Sequence, residues 1–600
     1  MTKKCMLIGA LAGLIVFSTF AQTPEDLPRY ETLWEKIHAA QAGLPGSWDP
    51  VGAMVDPPAY PGRTMAEWEE LQALLITWRS HPAILTEIVR AAREECRVII
   101  LCENQATISS AQNSLNAAGV NWSSNVEFLI TPTNSIWIRD YGPNSVYAGG
   151  VDSLYLVDWI YNRPSRRKDD TVSTTLAPYL GVPLYTTSKS PNDLVHTGGN
   201  FMSDGLGTGF SSRLILEENK PGNPYGVSAK TEADIDEIMY QYMGIGRYIK
   251  MAPLPYDQIN HIDMHMKLLD EETLLVGQYP EGIADGPQIE ANIQYVLSNF
   301  TSPFGTPYKI KRILMPPGPN EGQYPNTSGA HYRTYANSVI VNKTVIVPFY
   351  DQRYDTTARR IWEEAMPGYK IVGINCNAII PSLGAIHCIT KEVGAPDPIY
   401  ILHQEIPSCQ EWLDFSQGYP VWATIQHKSG IASAKIFYAN DPNGPWQEAN
   451  MPYYGLDDTT FNYRGFIPPQ QAGVTVYYYI QATSKSGKTV VRPLTAPAGY
   501  WSFCVEELVG VGPEPQAYMQ AAFPNPASGV TCIPIHSDRA TRGALLLYDA
   551  LGRRMDTLYE GDIPAGEFRR FLFADRYPPG VYTLALETAH GRSVQKLAIR

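Results

Sequence analysis

Charged residues are scarce in this chain, and positive charge is the scarcer sign. Asp, Glu, Lys and Arg make up 18% of the 600 residues, whereas hydrophobic residues make up 44%. This balance argues against a disordered chain and indicates several buried cores. The formal net charge of −13 argues against a general nucleic-acid partner, because no extended basic surface is available to neutralise phosphates.

Long apolar runs are also missing beyond the N-terminus, so no transmembrane segment is expected there. The apolar run Met6–Phe17 is itself too short to cross a bilayer. Two lysines precede it, and Thr19-Phe20-Ala21 follows with small residues at the −3 and −1 positions of a cleavage site. These features predict that residues 1–21 are a secretory signal peptide and that the protein is exported.

Cysteine is rare, and its count is informative in an exported protein. Eight cysteines occur and seven follow residue 21, so at least one stays unpaired if every bridge is intramolecular. Cys409 and Cys504 flank a β-rich region and could close it. Cys388, in "PSLGAIHCITKEV", could be a nucleophile, a metal ligand, half of a disulfide or an inert buried thiol.

What the chain does contain is turn formers and aromatics: 48 glycines, 48 prolines and 37 tyrosines. This mixture favours many strands and turns. Residues 22–49 are polar with a short helical pattern, which indicates a pro-segment or an N-terminal extension. From about residue 50 to 395, hairpins, helices and strands recur in the same order, which predicts a repeated supersecondary unit and an α/β fold.

The composition changes after residue 395. Residues 396–508 carry strand patterns without a long helix, which is typical of a small β-sandwich. A linker begins at about residue 509. The remaining residues, to 600, form another all-β pattern, interpreted as a small sandwich or as an address read by a secretion machine.

Two stretches besides Cys388 carry candidate chemistry. "NSIWIRDYGP" places Asp140 where an apolar strand run meets a Gly-Pro break, a position that often carries function. A purely structural role, pairing with Arg139 or capping the turn, is the alternative. "NHIDMHMK" places His261, Asp263 and His265 at alternate residues, on one face if the segment is a strand. That face could bind a metal, supply an acid/base pair, or be merely polar.

Three motifs, "WIRDYGP", "HID" and "GAIHCIT", resemble in order and spacing those of the guanidine-modifying enzymes. The closer branch holds agmatine deiminases and the secreted bacterial peptidylarginine deiminases. The resemblance covers roughly residues 55–395. It implies a five-bladed α/β-propeller, or pentein, over residues 50–395, followed by an immunoglobulin-like domain over 396–508 and a C-terminal sorting domain over 509–600. It also implies that neither a cofactor nor a metal is needed.

The resemblance implies a role for each candidate. Cys388 becomes the nucleophile, His261 the general acid/base, and Asp140 and Asp263 the carboxylates that hold a guanidinium. A guanidinium is planar, stays protonated and presents forked donors that carboxylates bind in pairs. A thiolate can attack its carbon and expel ammonia, leaving a thiouronium that water hydrolyses with the help of His261. A bound cation should favour the thiolate.

The stretch "YNRPSRR" bears on the substrate. Secreted peptidylarginine deiminases resemble it at "YNRP" and use two arginines there to bind the α-carboxylate of a C-terminal arginine. Arg163 matches the first, but Ser165 stands at the second position. Arg166 could substitute for it, or could belong to a solvated charge cluster with Arg167. Trp137 and Asn337 resemble other positions that contact substrate in the family, and could instead be a core aromatic and a turn former.

The C-terminal stretches "AAFPNPASG", "LLLYDALGRRM" and "GVYTLALETAHGRSVQKLAIR" resemble the type IX secretion signal of Bacteroidetes. The expected protein is therefore a secreted or surface-attached arginine deiminase that acts on arginine-containing peptides or proteins. The type IX secretion machinery is its expected second partner. The alternatives are an exported agmatine or free-arginine deiminase, a surface adhesin without catalysis, and a metal hydrolase that uses the HIDMH face.

Overall fold

Short apolar runs in residues 63–394 form buried strands; in Leu71–Thr77, for instance, every residue except Gln72 is buried. The computed structural model describes residues 27–42, 50, 52–283, 285–319, 323–327, 330–407, 418–455, 461–505, 517–550, 552–589 and 591–600. The chain divides into two compact units. The first runs to Gln470 and includes Thr475–Phe503, and the second contains Gln471–Val474 and Cys504–Arg600.

Within the described part of residues 63–394, the strands assemble into five sheets. In spatial order these are Arg63–Thr64, Asn144–Ala148, Ser153–Tyr161 and Leu184–Thr187, with Val195–His196 beside Ser153–Tyr161; Arg247–Met251, Thr208–Ser212 and Met202–Ser203; Met266–Leu268, Thr273–Gln278 and Lys309–Leu314; Val339–Val341, Thr344–Phe349 and Lys370–Asn375; and Lys391–Gly394, Leu71–Thr77, Arg97–Cys102 and Val126–Ile130.

Each of these sheets combines an antiparallel pair with a parallel crossover. Thr344–Phe349, for example, pairs antiparallel with the strand before it and parallel with Lys370–Asn375, after the helix Gln352–Ala365. The repeated unit expected from the sequence is thus present as hairpin, helix and strand. Lys391–Gly394 pairs antiparallel with Leu71–Thr77, so the end of this region joins the sheet near its beginning.

Apart from the first, which precedes the strands, the described α-helices lie between these strands in the sequence, and local residues mark where some of them begin and end. Glu232–Met243 begins at a capping box formed by Thr231 and Asp234 and ends at Gly244, whose positive φ of 68° favours glycine. The described α-helices are Leu33–Ala42, Pro82–Ala92, Gln105–Ala117, Ile138–Tyr141, Val172–Leu180, Leu214–Asn219, Glu232–Met243, Gly286–Asn299 and Gln352–Ala365.

Two stretches that were expected to be strands are helical turns instead. Ile138–Tyr141 forms one α-turn, closed by a 2.8 Å hydrogen bond from Gly142 N to Ile138 O and ended before Pro143. Ile262–Met264 forms a 3₁₀ turn. Asn260 precedes it with a φ of 55°, a left-handed conformation that an extended strand cannot contain. His261, Asp263 and His265 therefore do not share a strand face.

The first unit also contains two β-sheets after residue 399, except for Cys504, the last residue of their final strand, which is counted with the second unit. Their described strands are Tyr400–Leu402, Tyr419–Gln426 and Asn462–Ile467 in one, and Gln447–Asn450, Ile431–Ala439, Thr475–Ser484, Thr489–Arg492 and Trp501–Cys504 in the other. Ion pairs attach this part to the α/β region, between Arg492 and Glu271 at 3.2 Å and between Lys488 and Glu70 at 2.8 Å.

The second unit has its own buried core, which includes Leu545, Leu547, Leu584 and Leu586. Its strands are Ala517–Met519, Val530–Ser537 and Gly566–Phe573 in one sheet, and Arg554–Ile563, Thr541–Tyr548, Gly580–Thr588 and Gly591–Ile599 in the other. Among the described residues of either unit, no helix combines the length and the apolar character needed to cross a membrane. The expected Cys409–Cys504 pairing lies outside the described residues, because Cys409 is not among them.

Candidate functional site

Cys388 lies on a 3₁₀ turn, His387–Ile389, and its side chain is fully buried. Gly384 leaves room for the thiol, because a Cβ on Gly384 would lie 3.1 Å from Cys388 Sγ and 2.4 Å from Trp137 Cζ3. Asn337 Oδ1 lies 3.3 Å from Sγ and accepts a hydrogen bond from it. The local sequence thus places a buried thiol against Gly384, where a side chain would collide with Cys388 and Trp137.

Two carboxylates face this thiol from the helical turns described above. Asp140 lies on Ile138–Tyr141 and Asp263 on Ile262–Met264, and both are buried. Asp263 Oδ2 is 3.8 Å from Cys388 Sγ. Asp140 does not pair with its neighbour Arg139, which instead forms a bidentate ion pair with Glu392 at 2.6 and 2.8 Å. The alternative that Asp140 pairs with Arg139 is therefore wrong.

The guanidinium of Arg29 lies between the two carboxylates and the thiol. Its Nε and Nη2 donate to Asp140 Oδ2 and Oδ1 at 2.9 and 2.8 Å, and Nη1 and Nη2 donate to Asp263 Oδ1 and Oδ2 at 3.2 and 3.1 Å. Nη1 is also 2.6 Å from Cys388 Sγ. Arg29 belongs to the segment expected to be a pro-segment or extension, so the site holds an arginine of its own chain.

Backbone groups on both sides of Arg29 are bound as well. The Trp137 indole Nε1 donates to Leu27 O at 2.8 Å, and Arg29 N donates to Ser382 O at 2.9 Å. Arg163 donates to Arg29 O through Nε at 3.1 Å and Nη2 at 2.9 Å. The site therefore holds a peptide as well as a side chain.

Arg166 extends this recognition to the neighbouring residues. Its Nη2 donates to Pro28 O at 2.7 Å and to Tyr30 O at 3.0 Å, and its Nε donates to Glu35 Oε1 at 2.7 Å. Arg166 is fully buried, so its assignment to a solvated charge cluster is wrong; Arg167 is exposed. Trp137, Arg163 and Arg166 thus all face the backbone of one short segment.

His261 lies at the same guanidinium. Its Nδ1 is 3.5 Å from Asp140 Oδ1, and neither ring nitrogen has a hydrogen-bond partner among the described residues. Gly199 lies beside both groups: a Cβ there would lie 1.7 Å from Arg29 Nη2 and 2.7 Å from His261 Nδ1. A bare backbone at Gly199 is therefore required for guanidinium and imidazole to fit together.

His387 has a place that its sequence position did not suggest. Its Nδ1 lies 2.8 Å from Asp263 Oδ2, and its Nε2 lies 2.9 Å from Glu67 Oε1. Glu67 in turn pairs with Lys267. His387 therefore orients the carboxylate that holds the guanidinium, which makes it a positioning residue.

The sequence comparison agrees with this geometry. Residues 63–394 match the profile of the Porphyromonas-type peptidyl-arginine deiminases. The chain belongs to that family. It is therefore a hydrolase that acts on the C–N bonds of guanidino groups, and the residues described above form the candidate active site of a deiminase.

Similar proteins carry related names. The "Putative agmatine deiminase" of Yersinia pseudotuberculosis is 26% identical over 298 residues, which are 45% of this chain and 78% of the relative. Among solved structures, C. jejuni agmatine deiminase has a TM-score of 0.44 at 21% identity and covers 55% of this chain and 95% of its own. Agmatine deiminase of Enterococcus faecalis has a TM-score of 0.47 at 20% identity and covers 57% and 99%.

Burial and charge set the protonation states in the deiminase site. Burial raises the pKa of Asp140, but Arg29 and His261 outweigh it, so the pKa falls to about 2. Burial and the charge of Arg29 lower the pKa of His261 to about 3. Burial, Asp263 and Asp140 together raise the pKa of the Cys388 thiol despite Arg29. The charge of Arg29 acts in the expected direction, since it lowers the pKa of the thiol, but burial and the two carboxylates raise that pKa by more.

Asn337 and His265 are two further candidate residues near the thiol and the carboxylates. Asn337 contacts Cys388 Sγ and donates through Nδ2 to Asp263 O at 3.3 Å, so it lies behind the thiol, and its role in contacting substrate stays a prediction. His265 is buried, and neither ring nitrogen has a hydrogen-bond partner in the described part of the chain. Within those same residues, no group of three or more His, Cys, Asp or Glu side chains is arranged as a metal site.

Sequence reasoning missed Arg29, Glu35 and His387. One signal for Arg29 is present, since it is the single arginine between residues 22 and 49, ahead of a region whose motifs bind guanidinium. A signal for His387 was present too, since it adjoins the nucleophile candidate. No local pattern, however, indicates that Glu35 meets Arg166.

Proposed function

We propose that this deiminase converts arginine within peptides or proteins to citrulline and ammonia. The observation that carries the proposal is the fit of Arg29, whose guanidinium lies on Asp140, Asp263 and Cys388 while Trp137 and Arg163 bind the adjacent carbonyls. Donors aimed at peptide carbonyls contribute only if the substrate has a peptide backbone.

The first half of the proposed reaction forms a covalent adduct. Cys388 Sγ attacks the guanidinium carbon as its proton passes to His261, which is neutral and able to accept it. The S–C bond forms and the C=N electron pair moves onto nitrogen. His261 then returns the proton to the leaving nitrogen, the C–N bond breaks, and ammonia leaves a cationic thiouronium on Cys388.

The second half consumes water. Water adds to the thiouronium carbon while His261 takes its proton, and the S–C bond breaks to release the ureido group. The proton returns to the sulfur, and the second proton lost from water ends on ammonia as ammonium. Asp140 and Asp263 keep the carbon within reach of the thiol throughout, because paired carboxylates fix a planar cation in position and rotation.

Agmatine is the second candidate substrate, since the Yersinia relative is named as an agmatine deiminase. Agmatine has the guanidinium but no α-carbonyl, so it would leave the donors of Arg163 and Arg166 unmatched. A C-terminal arginine stays a candidate form of the peptide substrate, because Arg163 donates to Arg29 O, where one oxygen of an α-carboxylate would lie.

The test compares three substrates: a peptide with internal arginine, a matched peptide with C-terminal arginine, and agmatine. Citrulline or ureido product is measured by mass spectrometry, with Cys388→Ala as the inactive control. The Arg29→Gln variant is assayed beside the unmodified sequence, so that the protein's own arginine does not compete with added substrate. Turnover of either peptide supports the proposal, and turnover of agmatine alone would contradict it.

A variant pair sharpens this test. Arg163→Ala should lower kcat/KM for the peptides far more than for agmatine, because only the peptides offer a carbonyl to Arg163. A loss of about 1 kcal/mol or more is expected for such buried charged hydrogen bonds, or roughly fivefold or more. Arg167→Ala, an exposed neighbour, is the matched control and should change neither. Equal losses on all three substrates would count against backbone recognition.

We also propose the setting of this activity. The protein is secreted or attached to the outer-membrane surface, with residues 1–21 as the signal peptide and the C-terminal domain read by type IX secretion machinery. The five sheets are proposed to be the blades of a five-bladed α/β-propeller, and the β-rich parts after residue 396 to be two immunoglobulin-like domains. Cell fractionation of chains with and without residues 509–600 tests the export route: equal secretion of both would exclude a sorting role.

A further inference from the structure

The segment around Arg29 occupies the site that any external arginine would need. Arg29, Asp140 and Cys388 are fully buried together. All four carboxylate oxygens of Asp140 and Asp263 accept hydrogen bonds from the Arg29 guanidinium. While the segment is bound, a second guanidinium has neither a path to Cys388 nor a carboxylate to bind.

Outside this site, the segment continues into a short helix with exposed apolar side chains. The helix Leu33–Ala42 has ten residues, and isolated helices of this length are marginal in water. Its large apolar side chains face solvent, with Leu33 75%, Trp34 63% and Ile37 46% exposed. The contacts near Arg29 and the Glu35–Arg166 ion pair at 2.7 Å attach the segment to the site.

We propose that Arg29 is an intramolecular substrate: Cys388 deiminates Arg29 of its own chain, and this conversion opens the site to other substrates. The proposal rests on the proposed function and extends it to the first guanidinium that the site meets. Arg29 Nη1 already lies 2.6 Å from Cys388 Sγ, and His261 lies beside Asp140, so the reacting groups are assembled.

The chemistry is that of the proposed function applied in cis. Cys388 adds to the Arg29 guanidinium carbon, ammonia leaves with a proton from His261, and water replaces the sulfur. The products are citrulline at position 29 and ammonium, and no oxidant or further reactant is required. Water enters the volume that ammonia vacates.

Citrulline at position 29 is a poor occupant of the same site. The ureido group is neutral, so it loses the ion pairs to Asp140 and Asp263. Its oxygen replaces Nη1 or Nη2, which lie 3.2 Å from Asp263 Oδ1 and 2.8 Å from Asp140 Oδ1. Either replacement sets an oxygen lone pair against a carboxylate oxygen, which is repulsive. The segment should then leave the site.

The first experiment examines position 29 in the full chain, purified from the cytoplasm of an expression host and shown to be intact by its mass. Peptide mass spectrometry should find citrulline at position 29 in the unmodified sequence and arginine in Cys388→Ala. Arg360, with an exposed side chain, serves as the internal comparison and should stay arginine. An unmodified chain that deiminates added peptide but retains Arg29 would overturn self-deimination and leave the proposed function intact.

A mixing experiment separates the intramolecular reaction from one between molecules. Isotopically labelled Cys388→Ala chain is incubated with excess unmodified chain, and position 29 of the labelled chain is followed. It should stay arginine, because that side chain is buried in its own site. Conversion of the labelled Arg29 would show that the reaction occurs between molecules, and the intramolecular proposal would be wrong.

Two substitutions test whether the segment blocks the site. Arg29→Gln is neutral like citrulline, and should be as active on added peptide as the converted chain. Arg29→Lys keeps the cation but has no guanidinium carbon, so it should remain blocked, with peptide turnover lower by about tenfold, equivalent to about 1.4 kcal/mol of segment binding. Equal activity of the two variants would overturn the blocking role. Inactivity of all forms, Arg29→Gln included, would instead refute the proposed function.

Discussion

At the scale of single residues, glycine decides whether a guanidinium can enter this site. Asp140, Asp263 and His261 surround the guanidinium on several sides, and Gly199 supplies the remaining wall with no side chain. The volume that a methyl group would fill is the volume that Arg29 Nη2 occupies. The carboxylates can therefore bind a guanidinium only because Gly199 has no side chain.

Replacing Gly199 by alanine should abolish guanidinium binding without unfolding the protein. The added Cβ would lie 1.7 Å from Arg29 Nη2 and 2.8 Å from Asp140 Oδ1, so a substrate must be displaced from the carboxylates. We expect kcat/KM to fall by at least about 100-fold, the effect of losing about 3 kcal/mol of buried charge pairing. Steady-state kinetics measures this.

Gly246→Ala is the matched control, because its Cβ would meet nothing closer than 4.0 Å and the residue is exposed. It should retain full activity. Retained activity in Gly199→Ala, with an unchanged thermal midpoint, would show that substrate arginine lies elsewhere than Arg29 does.

His403 should make the first unit sensitive to acid. Burial lowers the pKa of His403 to about 4, from about 6.5 in the unfolded chain. Between those values the unfolded chain binds a proton that the folded chain does not, so the free energy of unfolding falls as pH drops from about 6.5 to about 4. His403 also bonds Trp422 O and Tyr478 Oη.

The measurement compares urea midpoints of the unmodified sequence and His403→Gln at pH 7 and pH 4.5. The variant is expected to be the less stable at pH 7, because it loses the bond to Tyr478. It should lose less stability than the unmodified sequence on acidification, by on the order of 2 kcal/mol. Parallel losses in both proteins would assign the acid sensitivity to other groups.

At the scale of elements, short helical turns rather than strands present the functional side chains. Ile138–Tyr141, Ile262–Met264 and His387–Ile389 each place one reactive side chain at the end of a sheet strand or loop. A strand would aim alternate residues at opposite faces, whereas these turns aim Asp140, Asp263 and Cys388 at one point. The helix Leu33–Ala42 also contributes, because its Glu35 forms an ion pair with Arg166, which binds the backbone beside Arg29.

The cap of that N-terminal helix should control how firmly the segment is bound. Thr32 Oγ1 accepts from Glu35 N at 3.2 Å, and Thr32 N donates to Glu35 Oε2 at 2.9 Å, which together form a capping box. Thr32→Ala should cost about 1 kcal/mol and speed hydrogen exchange of residues 33–42 about fivefold. The Cys388→Ala background keeps Arg29 unconverted during the measurement.

Thr231→Ala removes an equivalent cap from Glu232–Met243 and is the matched control. Its faster exchange should be confined to that helix, with residues 33–42 unchanged. Identical exchange of residues 33–42 with and without Thr32→Ala would mean that the cap does not contribute to holding the segment.

At the scale of the whole molecule, the first unit contains every group of the candidate site, from Arg29 to Cys388. The second unit has a separate core. A chain that ends at Val505 should therefore keep the proposed deiminase activity on peptides, measured by citrulline formation under the same conditions as for the full chain. A large loss of kcat, with the first unit still folded by circular dichroism, would show that residues 506–600 contribute to catalysis.

Much of the α/β region could be predicted from local patterns. Helix and strand periodicity identified the recurring order of hairpin, helix and strand between about residues 50 and 395, because amphipathic spacing and turn residues are local properties. The turns at Ile138–Tyr141 and Ile262–Met264 were missed, because their conformation depends on Gly142-Pro143 and on the left-handed Asn260, which override strand-like residue content. Such overrides are not visible in periodicity.

The resemblance of three motifs to those of the guanidine-modifying enzymes sufficed to propose Asp140, His261, Asp263 and Cys388, whose residue types suit the binding and attack of a guanidinium. Only the tertiary structure decided that Arg29 meets Asp140, 111 residues away, and Cys388, 359 residues away, and that Arg163 and Arg166 bind the backbone beside it. Contacts between residues that are far apart in the sequence depend on how the sheets pack together. A local pattern of charge or hydrophobicity therefore cannot predict which of these residues meet.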